Sequence, residues 1–116
     1  MQKDFGLHTE SILDQSILIP IRQFVDKLKQ DKLPISQILI FGSWAKGTAT
    51  QYSDIDIGVV SSQFGKDEMK EMAYLLKKTR GIDAPIEPHP VGVIDLQNET
   101  TPLYAEIKKW GKNVLV

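Results

Sequence analysis

The chain contains no cysteine, which excludes disulfides, thiolate catalysis and every zinc site built on cysteine. It has no stretch near the roughly 20 apolar residues that a membrane-spanning helix needs. No signal-peptide pattern opens it, because Asp4, His8 and Glu10 interrupt any apolar run. The expectation is therefore a cytoplasmic protein with no membrane partner. Neither sign of charge dominates: 14 Lys and Arg stand against 15 Asp and Glu, for a net charge of −1. A large basic face of the kind that binds nucleic acid is absent, although a small local basic site is compatible with this balance. Internal repeats, linkers and low-complexity tracts are missing as well.

What is present suits one domain over residues 1–116, with 41% apolar and 25% charged residues. From Thr9 to Leu33 the pattern is helical, with Ile17, Ile21, Phe24, Val25 and Leu28 at spacings of three and four on one face. Pro20 should open a second helix there or kink a single long one, and Pro34 should stop the pattern. Gln37 to Phe41 is a short apolar run that fits a buried strand. Ser43 to Ser53 reads as a helical turn followed by a loop, and Asp54 to Val60 as a second strand. Asp67 to Lys78 follows as a helix, with Met69, Met72, Ala73, Leu75 and Leu76 as its apolar stripe and Gly81 beyond its end.

Ile82 to Leu96 reads as a third extended segment carrying prolines at 85, 88 and 90. Proline cannot donate to a ladder, so an edge strand is expected. Pro102 to Trp110 predicts a last helix capped by Gly111, and Asn113 to Val116 a last strand. These elements predict an α/β fold, with a small mixed β-sheet and helices packed mainly on one face.

Two features carry chemistry. Asp54 and Asp56 are two apart on a strand, so they share a face about 7 Å apart along it. Carboxylates that close repel one another unless a cation lies between them, and carboxylates are the ligands Mg²⁺ takes. Taken alone, the pair is served equally well by a solvent-facing strand side. Gly42-Ser43 ends the first strand ahead of a helical turn, where unpaired N–H groups suit a phosphate. Taken alone, that pair is also an ordinary capped turn. Together they place a phosphate cradle beside a carboxylate pair, which is the layout of a metal-assisted phosphate reaction.

The stretch from Phe41 to Val60, FGSWAKGTATQYSDIDIGVV, resembles the active-site signature of the DNA polymerase beta-like nucleotidyltransferase superfamily. The shortness of the chain resembles the minimal branch of that superfamily, which includes antitoxin partners of HEPN-type ribonuclease toxins. The signature covers about a sixth of the chain. It departs at Lys46, where the family more often has arginine; the charge is kept and the bidentate fork is lost.

The resemblance implies that Gly42 and Ser43 bind the β- and γ-phosphates of a nucleoside triphosphate, with Lys46 near them. Asp54 and Asp56 would bind metal, two Mg²⁺ ions in all. A third acid on a later strand would complete the metal site and activate the attacking hydroxyl. Glu87 is the candidate, with Asp83 and Asp95 as rivals. His89, two residues on, would share the face of Glu87 if the segment is extended, and a half-exposed strand histidine is an equally good reading.

The implied activity is transfer of a nucleoside monophosphate, AMP from ATP, to a hydroxyl acceptor such as a tyrosine of a HEPN-type toxin. Two other readings stand beside it. One is an inactive nucleotide-binding module that neutralises a partner by contact. The other is transfer to a small molecule such as an aminoglycoside, although such enzymes generally carry a further domain for the acceptor. The sequence sets no oligomeric state.

Overall fold

The computed structural model describes residues 15–114. Helix α1 (Gln15–Gln30) passes straight through Pro20, which is itself buried, so the helix neither restarts nor divides there. Proline removes one N–H from the ladder, and the buried face of Ile17, Ile21, Phe24, Val25 and Leu28 outweighs that loss. The part of the expected helix before Gln15 lies outside the described residues. Two residues beyond the helix end, Lys32 has a left-handed φ of 60°, and the Leu33 amide donates back to the Leu28 carbonyl.

Strand β1 (Gln37–Phe41) leads into a one-turn helix α2 (Ser43–Lys46), and strand β2 (Ile55–Ser61) follows. Helix α3 (Glu68–Lys78) is shifted by one residue from expectation because Asp67 is its N-cap, accepting from the Lys70 amide. Its expected apolar stripe is corrected by the structure. Only Leu75 is buried, whereas Met69 is 85% and Leu76 48% exposed.

Strand β3 (Ile86–Gly92) ends earlier than the sequence suggests, and Val93 begins a short helix α4 (Val93–Asn98) that the periodicity did not announce. Helix α5 (Pro102–Trp110) opens on Thr101, which caps the Tyr104 amide. It closes on Gly111, whose amide donates to the Ile107 carbonyl. The last strand, β4 (Lys112–Asn113), begins one residue earlier than expected and does not include Val114, and the last two residues of the expected strand lie outside the described residues.

The four strands form one mixed sheet in the order β3-β2-β1-β4. β1 runs antiparallel to β2 and β4, and β2 runs parallel to β3. β3 is an end strand, as its prolines require. Pro88 and Pro90, two residues apart, share a side of the strand, and turning that side outward costs no ladder bond and blunts the edge against further pairing.

Alternation along β2 sends Ile55, Ile57 and Val59 into the larger core, against Ile21, Phe24, Leu28 and Leu75 from α1 and α3. The opposite face holds a smaller cluster of Leu39, Phe41, Val60, Val91, Leu96 and Ile107, which α4 and α5 cover. The two longest helices thus lie on one face, as expected, and the short ones on part of the other. That division leaves one end of the second face for polar side chains.

Candidate active site

The topology gathers three strand ends at one place. β1 finishes where its antiparallel neighbour β2 begins, with Phe41 paired to Asp56. β3 is parallel to β2, so it also begins there, with Asp56 paired to Glu87. The sheet face shared by Asp56, Glu87 and His89 is the one opposite the larger core. Charged groups are tolerated on it because that corner is part-exposed: Asp56 and His89 are half-buried and Glu87 is exposed.

Asp56, Glu87 and His89 each offer a ligand atom within 4.8 Å of the other two. His89 Nε2 lies 3.7 Å from Asp56 Oδ1, too far for a hydrogen bond. Burial pushes the Asp56 carboxyl above its ordinary range, the neighbouring Glu87 carboxylate pushes the same way, and His89 opposes them. Two acids held this close resist joint ionisation, and a cation between them would relieve the repulsion. His89 Nε2 is buried with no hydrogen-bond partner among the described residues. Two carboxylate oxygens and an unsatisfied ring nitrogen converging on one point form a donor set that fits a divalent cation.

Gly42 sits against this group. Its φ is 70°, and a Cβ built on it would fall inside the van der Waals contact of Asp56 Oδ2. Glycine is therefore required there by both conformation and space. Gly42 is also the N-cap of α2. Its carbonyl accepts from the Ala45 and Lys46 amides, and no side chain caps the turn. The first N–H groups of such a turn have no partner within it. Such groups suit a phosphate, and Gly42 itself lies against Asp56.

Of the residues expected from sequence, the structure brings together Gly42, Asp56 and Glu87, and Ser43 follows Gly42 as the first residue of α2. Asp54 precedes β2, is exposed, and does not join the group of three. Asp83 lies in the turn before β3, and Asp95 lies on α4, where its carboxylate approaches Gly65 and Gly92 instead. Neither rival belongs to the group. The Lys46 ammonium is turned toward α5, 3.6 Å from Glu106 Oε2 and 5.6 Å from the Trp110 ring centroid. His89 is the residue whose part sequence reasoning left open; its spacing of two from Glu87 was the available signal.

A family model described as a nucleotidyltransferase domain matches residues 21–113. The chain belongs to the nucleotidyltransferase domain family. The fold agrees. A Sulfolobus solfataricus crystal structure, provisionally described as a nucleotidyltransferase, superposes with a TM-score of 0.62 at 15% identity, covering 97% of this chain and 87% of the other. A toxin–antitoxin crystal structure with AMP-PNP gives a TM-score of 0.48 at 25% identity, covering 78% and 68%. A likeness at that level says nothing about the ligand or partner of this nucleotidyltransferase. No curated protein matches the chain. Among the described residues, no helix of the nucleotidyltransferase is long and apolar enough to cross a membrane.

Proposed function

We propose that this nucleotidyltransferase moves a nucleoside monophosphate, AMP from ATP, onto a hydroxyl acceptor, and that the acceptor is a tyrosine of a HEPN-type toxin which the modification silences. The observation that carries the transfer is the placement of Asp56 opposite Glu87, against the glycine of an uncapped helical turn. An open corner supports an acceptor presented by another protein. Glu87 is exposed, and a cavity of about 490 Å³ elsewhere on the molecule, lined by Asp31, Phe64 and Tyr74, does not include the group.

In this reading the backbone at Gly42 and the Ser43 hydroxyl hold the β- and γ-phosphates. Lys46 can leave Glu106 for a phosphate oxygen at small cost, because an exposed ion pair contributes about 1 kcal/mol or less. Asp56 and Glu87, joined by Asp54 from its exposed position, hold the divalent cations that the family resemblance implies. Bound there, the ions would neutralise charge on the phosphate oxygens and acidify the acceptor hydroxyl. Glu87 takes the hydroxyl proton. The acceptor oxygen then attacks the α-phosphorus, a new P–O bond forms, and the bond to the β-phosphate oxygen breaks as pyrophosphate leaves.

A contact-only module would need no third acid beside Asp56, and the pairing of Glu87 with Asp56 favours catalysis over that alternative. The test incubates the chain and candidate acceptor proteins with ATP labelled at either the α- or the γ-phosphate. Label should pass to the acceptor from the α position only, and Asp56→Asn should abolish it while leaving the fold intact. Transfer at an undiminished rate by the folded variant would overturn the mechanism.

A further inference from the structure

We propose that His89 is a nitrogen ligand of the metal position, so that this chain selects a first-row transition ion, Mn²⁺ or Co²⁺, over Mg²⁺. The inference rests on the reading that Asp56 and Glu87 hold a divalent cation, and it goes beyond that reading by naming a ligand and an ion preference.

Three observations carry it. First, His89 Nε2 is buried and has no hydrogen-bond partner among the described residues, an arrangement that costs free energy unless something occupies the nitrogen. Second, its 3.7 Å separation from Asp56 Oδ1 is too long for a hydrogen bond. It nevertheless lies within about 0.7 Å of the roughly 3.0 Å between adjacent ligands of one ion with bonds of about 2.1 Å, so a small shift would let both groups reach the same ion. Third, the ring is held in place. It packs edge-on against Phe41, with centroids 5.1 Å apart and planes at 61°. Its partner across the ladder is Gly58.

A ring fixed this way is a prepared ligand, whereas a surface histidine would be free to turn to water. The ion preference follows from the donor. Mg²⁺ is a hard cation that takes oxygen and gives up its waters reluctantly. Imidazole nitrogen adds affinity for the borderline first-row ions, in the order Mn²⁺ below Co²⁺. Replacing one oxygen by Nε2 therefore weakens the position for Mg²⁺ relative to Mn²⁺.

The experiment binds Mn²⁺ to the full chain, with and without a non-hydrolysable ATP analogue. It records the electron spin-echo modulation of the bound ion and the competition of Mg²⁺ against it. His89→Gln and Asp56→Asn are measured alongside. The wild-type chain should show modulation from an imidazole ¹⁴N. His89→Gln should lose it, and the preference for Mn²⁺ over Mg²⁺ should fall.

Bound Mn²⁺ without nitrogen modulation in the wild-type chain would overturn the proposal, whatever the stability of the variant. An unchanged Mn²⁺ to Mg²⁺ ratio in folded His89→Gln would do the same. Mn²⁺ binding that depends on Asp56 but not on His89 removes this inference and keeps the transferase reading. Binding that is absent, or indifferent to Asp56, removes both.

Discussion

Gly42 shows how much a single residue decides at this site. Its left-handed φ and the proximity of Asp56 Oδ2 leave no room for a side chain. Gly42→Ala should therefore lose about 1–3 kcal/mol of stability and also displace the Asp56 carboxylate, uncoupling metal binding even where the fold survives. Chemical denaturation together with Mn²⁺ titration checks this; a variant of wild-type stability with unaltered Mn²⁺ affinity would refute it. At this scale the sequence was informative where chemistry and spacing coincide. Asp56 could be named because a carboxylate on an apolar strand stands out, whereas Glu87 was reached only through the third acid that the family resemblance implies. His89 was harder, because the same residue serves as a ligand or as a half-buried strand histidine, and the choice depends on Phe41 and Gly58 from other strands. The direction of Lys46 depends on Glu106 and Trp110, some sixty residues later, which no local pattern encodes.

Among the elements, helix α3 depends on its entrance. The Glu71 carboxylate accepts from the amides of Gly65, Lys66 and Asp67 at 3.0, 3.0 and 2.9 Å, tying the preceding loop to the first turn. Partial burial would raise the Glu71 pKa, but the three amides and the nearby Lys66 outweigh it and hold the group below its ordinary 4.5. A lowered carboxylate pKa contributes stability that is present above the unfolded value and lost as pH falls through the folded one. Glu71→Ala should thus cost about 1 kcal/mol at neutral pH. The difference from wild type should shrink below about pH 4.5, the ordinary value of the group. Denaturant midpoints of both chains across pH 3–7 would show it, and a pH-independent difference would contradict it. The strands were legible as elements because their apolar runs end at clear breakers. Helix α4 was not, since Val93 and Ile94 continue a β-branched pattern. At the point where strand gives way to helix, a Cβ on Gly92 would meet the Phe64 carbonyl oxygen at 2.8 Å, a close approach made in three dimensions between segments distant in sequence.

For the molecule as a whole, the sheet order makes the site. Sequence supplied the strands and the mixed character of the sheet. The central place of β2 between an antiparallel and a parallel neighbour, which sets Gly42, Asp56 and Glu87 at one corner, arises from how α1 and α3 cover one face while α4 and α5 cover the other. A corner built from β1, β2 and β3 together couples ligand binding to global unfolding, because occupying it bridges three strands that must separate when the sheet opens. A ligand at ten times its dissociation constant should add about 1.4 kcal/mol, which is about 5 °C for a domain this small. Thermal unfolding with ATP, with a divalent cation, with both and with neither should show the full shift only when both are present. The shift should vanish in Asp54→Asn/Asp56→Asn. Stabilisation by ATP alone that persists in the double variant would mean that the nucleotide binds away from this corner, and the argument from sheet order to chemistry would fail with it.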